Sequence, residues 1–90
     1  KAAACVEAER AVLEALGGGC HLPLGALGTI AGRSAGSPVL QLRTVLGAPD
    51  GSLLLRADVT GSAARPRQLG LKAARLLLKQ GGRKLLTVES

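Results

Sequence analysis

Leu40-Gln41-Leu42-Arg43-Thr44-Val45-Leu46 and Leu53-Leu54-Leu55-Arg56-Ala57-Asp58-Val59-Thr60 are separated by Gly47-Ala48-Pro49-Asp50-Gly51-Ser52. In the first segment Leu40, Leu42, Thr44 and Leu46 alternate with Gln41, Arg43 and Val45. In the second, Leu53, Leu55, Ala57 and Val59 alternate with Leu54, Arg56, Asp58 and Thr60. A period of two is the signature of a strand with one buried face. Pro49-Asp50-Gly51 is a strong turn signal, so the two segments read as an antiparallel hairpin.

Downstream, residues 66–80 read as a helix. Pro66 suits its first turn, Leu69, Ala73, Leu76 and Leu77 mark a buried stripe, and Lys72, Arg75 and Lys79 lie outward. Gly81-Gly82 ends it. A tail at residues 85–88 reads as extended. Upstream, residues 2–16 read as a first helix, with Cys5, Ala8, Val12 and Leu16 on one stripe and Gly17 as its C-cap. Glu7, Glu9 and Glu14 read as its solvated face. Gly17-Gly18-Gly19-Cys20-His21-Leu22-Pro23 is a loop, because three glycines loosen the backbone and Pro23 stops a helix. A Gly-interrupted strand follows over residues 24–30, and residues 31–38 are a connection. The expected architecture is α+β: a small antiparallel three-stranded sheet with two helices packed on one face, in the order α-β-β-β-α.

Ninety residues make one small domain, residues 1–90. The chain has no Phe, Trp, Tyr or Met, so its core is built from Leu, Val, Ile and Ala. It starts without Met inside a helical pattern, which reads as a fragment. The formal net charge is +6. Basic domains attract phosphate backbones, but single-strand binders add aromatic stacking, and here there is nothing to stack on. The cations are also dispersed. A basic surface that attracts an acidic substrate is the simpler reading, and no nucleic acid is expected. Apolar runs are only a few residues long, against the roughly 20 that span a bilayer, so no membrane is expected. Two cysteines and no signal peptide read as a reduced, cytoplasmic chain.

Cysteine is the only good nucleophile candidate. Cys5, on the helical stripe, reads as a buried core thiol. Cys20, in a Gly-rich loop, is a thiol that can be reached and can swing; on the residues alone the ordinary loop cysteine is the simpler reading. Adjacent His21 does not make a nucleophile–base pair, since sequence neighbours point apart. One His and two distant Cys close no metal shell, so no metal is expected. Asp50 is a turn residue and Asp58 faces outward on its strand, so no acid–base pair emerges. Gly17–Gly19 follow a helix rather than precede one, where the dipole disfavours an anion.

The run Glu9-Arg10-Ala11-Val12-Leu13-Glu14-Ala15-Leu16-Gly17-Gly18-Gly19-Cys20-His21-Leu22-Pro23-Leu24-Gly25 resembles the signature around the cofactor cysteine of the porphobilinogen deaminase (hydroxymethylbilane synthase) family. Gly47-Ala48-Pro49-Asp50-Gly51-Ser52 resembles the family's hairpin turn. Leu69-Gly70-Leu71-Lys72-Ala73-Ala74 and Leu76-Leu77-Leu78-Lys79-Gln80-Gly81-Gly82 resemble its last helix. Leu22 departs from the pattern, standing where Val, Ile or Thr is more usual.

The resemblance implies the C-terminal, third domain of an enzyme whose two preceding domains are absent from these residues. Those domains would carry the catalytic aspartate and most of the arginines that hold substrate carboxylates, so no catalytic residue is assigned within residues 1–90. It implies that Cys20 carries a dipyrromethane cofactor through a thioether, on a loop given mobility by Gly18 and Gly19. It also implies a transferase that builds porphobilinogen into the linear tetrapyrrole hydroxymethylbilane with release of ammonia. The expected partners are porphobilinogen, the growing pyrrole chain and the two preceding domains, in a monomer; residues 1–90 alone are expected to be inactive. The alternatives are a basic α+β interaction module, whose binding to nucleic acid or an acidic partner would fade steeply with salt, and a thiol switch at Cys20.

Overall fold

The computed structural model describes residues 2–16, 24–48, 51 and 53–82. The helix α1 spans Ala3–Ala15, the strands β1, β2 and β3 span Leu24–Ser34, Ser37–Gly47 and Leu54–Ser62, and α2 spans Pro66–Leu77. The sheet is antiparallel in the order β1-β2-β3. Both helices pack on one of its faces, as expected for an α+β domain with the order α-β-β-β-α.

Alternation decides which face. Leu40, Leu42 and Leu46 of β2 are fully buried, Leu55, Ala57 and Val59 of β3 join them, and Thr44 is the buried polar residue among them. The Thr44 hydroxyl donates to the Ala57 carbonyl at 2.6 Å, which satisfies it without water. From the helices come Cys5, Ala8, Val12 and Leu16, and Leu69, Ala73, Ala74 and Leu77. Each buried Leu removed from water contributes about 1.5–3 kcal/mol, so aliphatic packing stands in for the absent aromatics.

The helices meet at Gly70. A Cβ built there would lie 2.5 Å from the Ala8 carbonyl oxygen and 2.7 Å from the Ala11 Cβ. Gly70, Ala73 and Ala74 are the small buried residues of α2, and they let the two backbones approach. Leu76, expected on the stripe, is only partly buried and packs at its margin. Across the solvent side of this pair, the Arg67 guanidinium lies 3.6 Å from the Glu14 carboxylate. Such an exposed pair contributes little.

Three segments differ from the sequence reading. Residues 31–38, expected as a connection, are the far half of a β1–β2 hairpin, with Arg33 paired to Pro38 and Ser34 to Ser37. The reversal is Ala35-Gly36, both at positive φ (52° and 80°), the two-residue turn whose twist suits a hairpin. A register shift falls between Ile30 and Arg33, where Gly32 has φ 117°. These arms are exposed on both faces, so no hydrophobic period marks them. Leu53, expected in the buried set, is 44% exposed, because β3 starts one residue later. At the C-terminal end, α2 gives way after Leu77 to a wider, π-type turn over Leu78–Gly82, with Gly81 at φ 124°. Gln80 then reaches the edge strand, its amide nitrogen donating to the Arg56 carbonyl at 2.7 Å.

The predicted turn is seen in part. The Gly51 N–H donates to the Ala48 carbonyl, and the Ala48 N–H to the Leu53 carbonyl, while Gly51 has φ 77°. Pro49 and Asp50 lie outside the described residues, as does the 85–88 tail.

Candidate functional site

Cys20, the predicted anchor, lies outside the described residues, together with Gly18, Gly19, His21 and the predicted cap Gly17. What the fold describes is the pair of elements that hold the two ends of this link. On the near side, Leu16 closes α1: its N–H donates to the Val12 carbonyl at 3.1 Å, and its side chain is in the core. On the far side, Leu24 opens β1 in register with the fully buried Leu46 and packs against the core. Residues 17–23 therefore connect two anchored points. The chain enters β1 at the same end of the sheet at which it turns from β2 into β3.

The two anchors are also fixed to each other. A Cβ at Gly28 would lie 3.0 Å from both the Cα and the carbonyl oxygen of Cys5, so β1 and α1 pack backbone to backbone. β1 is an edge strand, and an edge leaves alternate N–H groups without a strand partner. The Gly28 N–H is supplied by α1: it donates to the Glu9 carboxylate at 2.6 Å. The sequence reading placed Glu9 on a solvated helix face, and this is corrected. Glu9 is half-buried and follows Cys5 by one helical turn, so it borders the buried stripe. That spacing was the available signal. Replacing Glu9 by Ala is expected to speed hydrogen exchange at the Gly28 amide by about ten-fold or more, since a hydrogen bond to a charged group contributes about 1.5–3 kcal/mol. Unchanged exchange would show that the carboxylate does not hold the edge.

Of the two thiols in the sequence, Cys5 is free and buried. It is 2% exposed within the core, as its place on the helical stripe predicts. Asp58 is exposed on β3, outward as expected. Asp50 and Glu89 lie outside the described residues. Among the described residues no three His, Cys, Asp or Glu side chains come together as a metal site. Nor is any helix long and apolar enough to cross a membrane.

A three-stranded antiparallel sheet, covered on one face by two helices, defines a small α+β domain, and Cys20 falls in the sequence between its first helix and first strand. Residues 3–79 match the family described as porphobilinogen deaminase, C-terminal domain, and the chain belongs to that family. The porphobilinogen deaminase of Thermus thermophilus is 43% identical over 81 residues, 90% of this chain and 26% of that protein. That of Neisseria meningitidis serogroup A is 43% identical over 83 residues, 92% of this chain and 25% of that protein. That of Stenotrophomonas maltophilia is 39% identical over 85 residues, 94% of this chain and 26% of that protein. The chain thus spans about a quarter of the length of these relatives.

Proposed function

We propose that residues 1–90 act as the third, C-terminal domain of a cytoplasmic, monomeric hydroxymethylbilane synthase, with Cys20 as the covalent anchor of a dipyrromethane. The observation that carries this reading is the fate of the two thiols. Cys5 is enclosed by the core with its backbone against Gly28, which supports assigning the anchor to the other thiol, Cys20, in the family's signature run. When bound, the dipyrromethane would supply the pyrrole carbon to which porphobilinogen units add before hydroxymethylbilane is released.

The chain's own residues have three tasks in this scheme. The Cys20 sulfur displaces ammonia from an aminomethylpyrrole: a C–S bond forms as the C–N bond breaks, and ammonia leaves with the thiol proton. Gly17, Gly18 and Gly19 give the tether the backbone freedom that a lengthening chain requires. Leu16 and Leu24, bound into the core, fix the two ends of the segment that carries Cys20.

The test is the intact mass of the full-length protein before and after incubation with porphobilinogen. An excess of one dipyrromethane is expected. A protein that gains no mass, and whose Cys20 remains freely alkylated, would overturn the reading. Residues 1–90 alone are expected to consume no porphobilinogen, and consumption by them would refute the assignment of catalysis to preceding domains.

A further inference from the structure

The sequence has no acidic residue between Val59 and Val88, yet seven of its 12 Lys and Arg residues fall there. The charge of α2 is therefore not balanced along the chain. Arg67 is taken up by Glu14 of the facing helix. Lys72, Arg75 and Lys79 are exposed and have no ion pair among the described residues. They follow one another at steps of three and four residues, so they form one band along α2 and into the turn that ends it. At helical spacing Leu76 lies on one side of this band, and Leu71 and Leu78 lie on the other. Leu71 is 37% exposed, and Leu76 and Leu78 are partly buried against the core. The three cations, Leu76 and Leu78 line a single surface depression. The opposite stripe of α2 is locked into the core through Leu69, Ala73 and Leu77, so the band is presented on a fixed helix.

We propose that this band is a docking site for an acidic amphipathic helix of a partner protein. Charge sets the sign of the partner. Three positive charges stand against roughly half a negative charge at the helix C-terminus, an excess of more than two. Shape and apolarity set its class. The surface is concave and its cations are flanked by leucines. A flat anionic membrane would meet only the protruding tips, and a nucleic acid would leave the leucines unused and find no aromatic ring to stack on. A helix with carboxylates at i, i+3 and i+7 places one opposite each cation over about 10 Å, and apolar side chains beside that row meet the leucines. Exposed ion pairs are individually weak, so the docking is transient and sensitive to salt. It stands whether or not Cys20 is the anchor.

The test is the anisotropy of a labelled synthetic helix, with Glu at alternating three- and four-residue steps and Leu beside them, titrated with full-length protein at low salt. Wild type is expected to bind it, and to bind the same helix with Gln in place of Glu at least about five-fold more weakly. Lys72→Gln/Arg75→Gln/Lys79→Gln is expected to lose at least about five-fold in affinity for the Glu helix, with the unfolding midpoint almost unchanged because all three side chains are exposed. Arg33→Gln/Arg43→Gln/Arg56→Gln removes the same charge from the sheet and is expected to bind as wild type does. Wild-type affinity in the α2 variant, or an equal loss in the sheet variant, would overturn the site. So would the absence of binding by wild type. Tighter binding of random-sequence duplex DNA or of phosphatidylserine vesicles than of the Glu helix would overturn the acidic helix as the partner.

Discussion

Cys20→Ser is expected to remove all porphobilinogen-dependent mass from the full-length protein and to leave its unfolding midpoint almost unchanged, whereas Cys5→Ser is expected to do the reverse. The contrast follows from where the two thiols lie. Cys5 is 2% exposed among Ala8, Val12 and the strands. Serine there places a hydroxyl in an apolar core, which costs about 1–3 kcal/mol when the group finds no partner. A helical serine can turn back to the preceding carbonyl, which trims the penalty without removing it. Against a total of about 5–15 kcal/mol for a folded domain, that is a readily measured fall in the urea midpoint. Cys20 stands in the sequence between glycines and a proline, a context in which a sulfur-to-oxygen change is expected to cost little stability. It does remove the soft nucleophile, because a serine hydroxyl lacks the thiolate fraction that makes cysteine reactive. Retention of the mass excess by Cys20→Ser would place the covalent bond elsewhere.

Gly70→Ala is expected to lower stability by about 2 kcal/mol or more, although alanine is the better helix former by about 1 kcal/mol. The new methyl carbon would sit 2.5 Å from the Ala8 carbonyl oxygen and 2.7 Å from the Ala11 Cβ. Both belong to the facing helix, and neither is the free end of a flexible side chain. Relief therefore requires α1 and α2 to move apart, which loosens the shared packing of Val12, Ala73 and Leu77. Overpacking of this kind costs typically about 1–3 kcal/mol, and more where backbone is in the way. Gly61→Ala is the matched control. Its methyl would meet Leu69 Cδ1 at 3.0 Å, the end of a side chain that can rotate, so a smaller loss is expected. Both are read from urea unfolding of the same protein. A Gly70→Ala variant as stable as the parent would mean that the helices do not cross at this contact distance.

The central hairpin was legible because one face of each strand is buried, and burial writes a period of two into Leu40, Leu42 and Leu46 and into Leu55, Ala57 and Val59. The same logic read Cys5, Ala8 and Val12 as the inner stripe of α1. It failed for residues 31–38, whose strands are exposed on both sides and are held by backbone hydrogen bonds to which any side chain is compatible. It also failed for Glu9. A carboxylate beside a buried stripe looks solvated until the edge strand that needs an acceptor is in place. Gly70 was quoted as part of a helical motif, and its reason emerges only when a second backbone lies against it.

By itself, then, the amino-acid sequence determined the element order, the inward faces, the core position of Cys5, and, through the signature run, the family. These depend on local spacing and residue chemistry, which the chain carries whether or not it is folded. The tertiary structure alone decided the pairing of the outer hairpin, the contact of α1 with α2 at Gly70, and the clasp of Glu9 on Gly28. Each of these joins residues distant along the chain, and register and backbone approach exist only once non-local packing has closed the sheet against its helices.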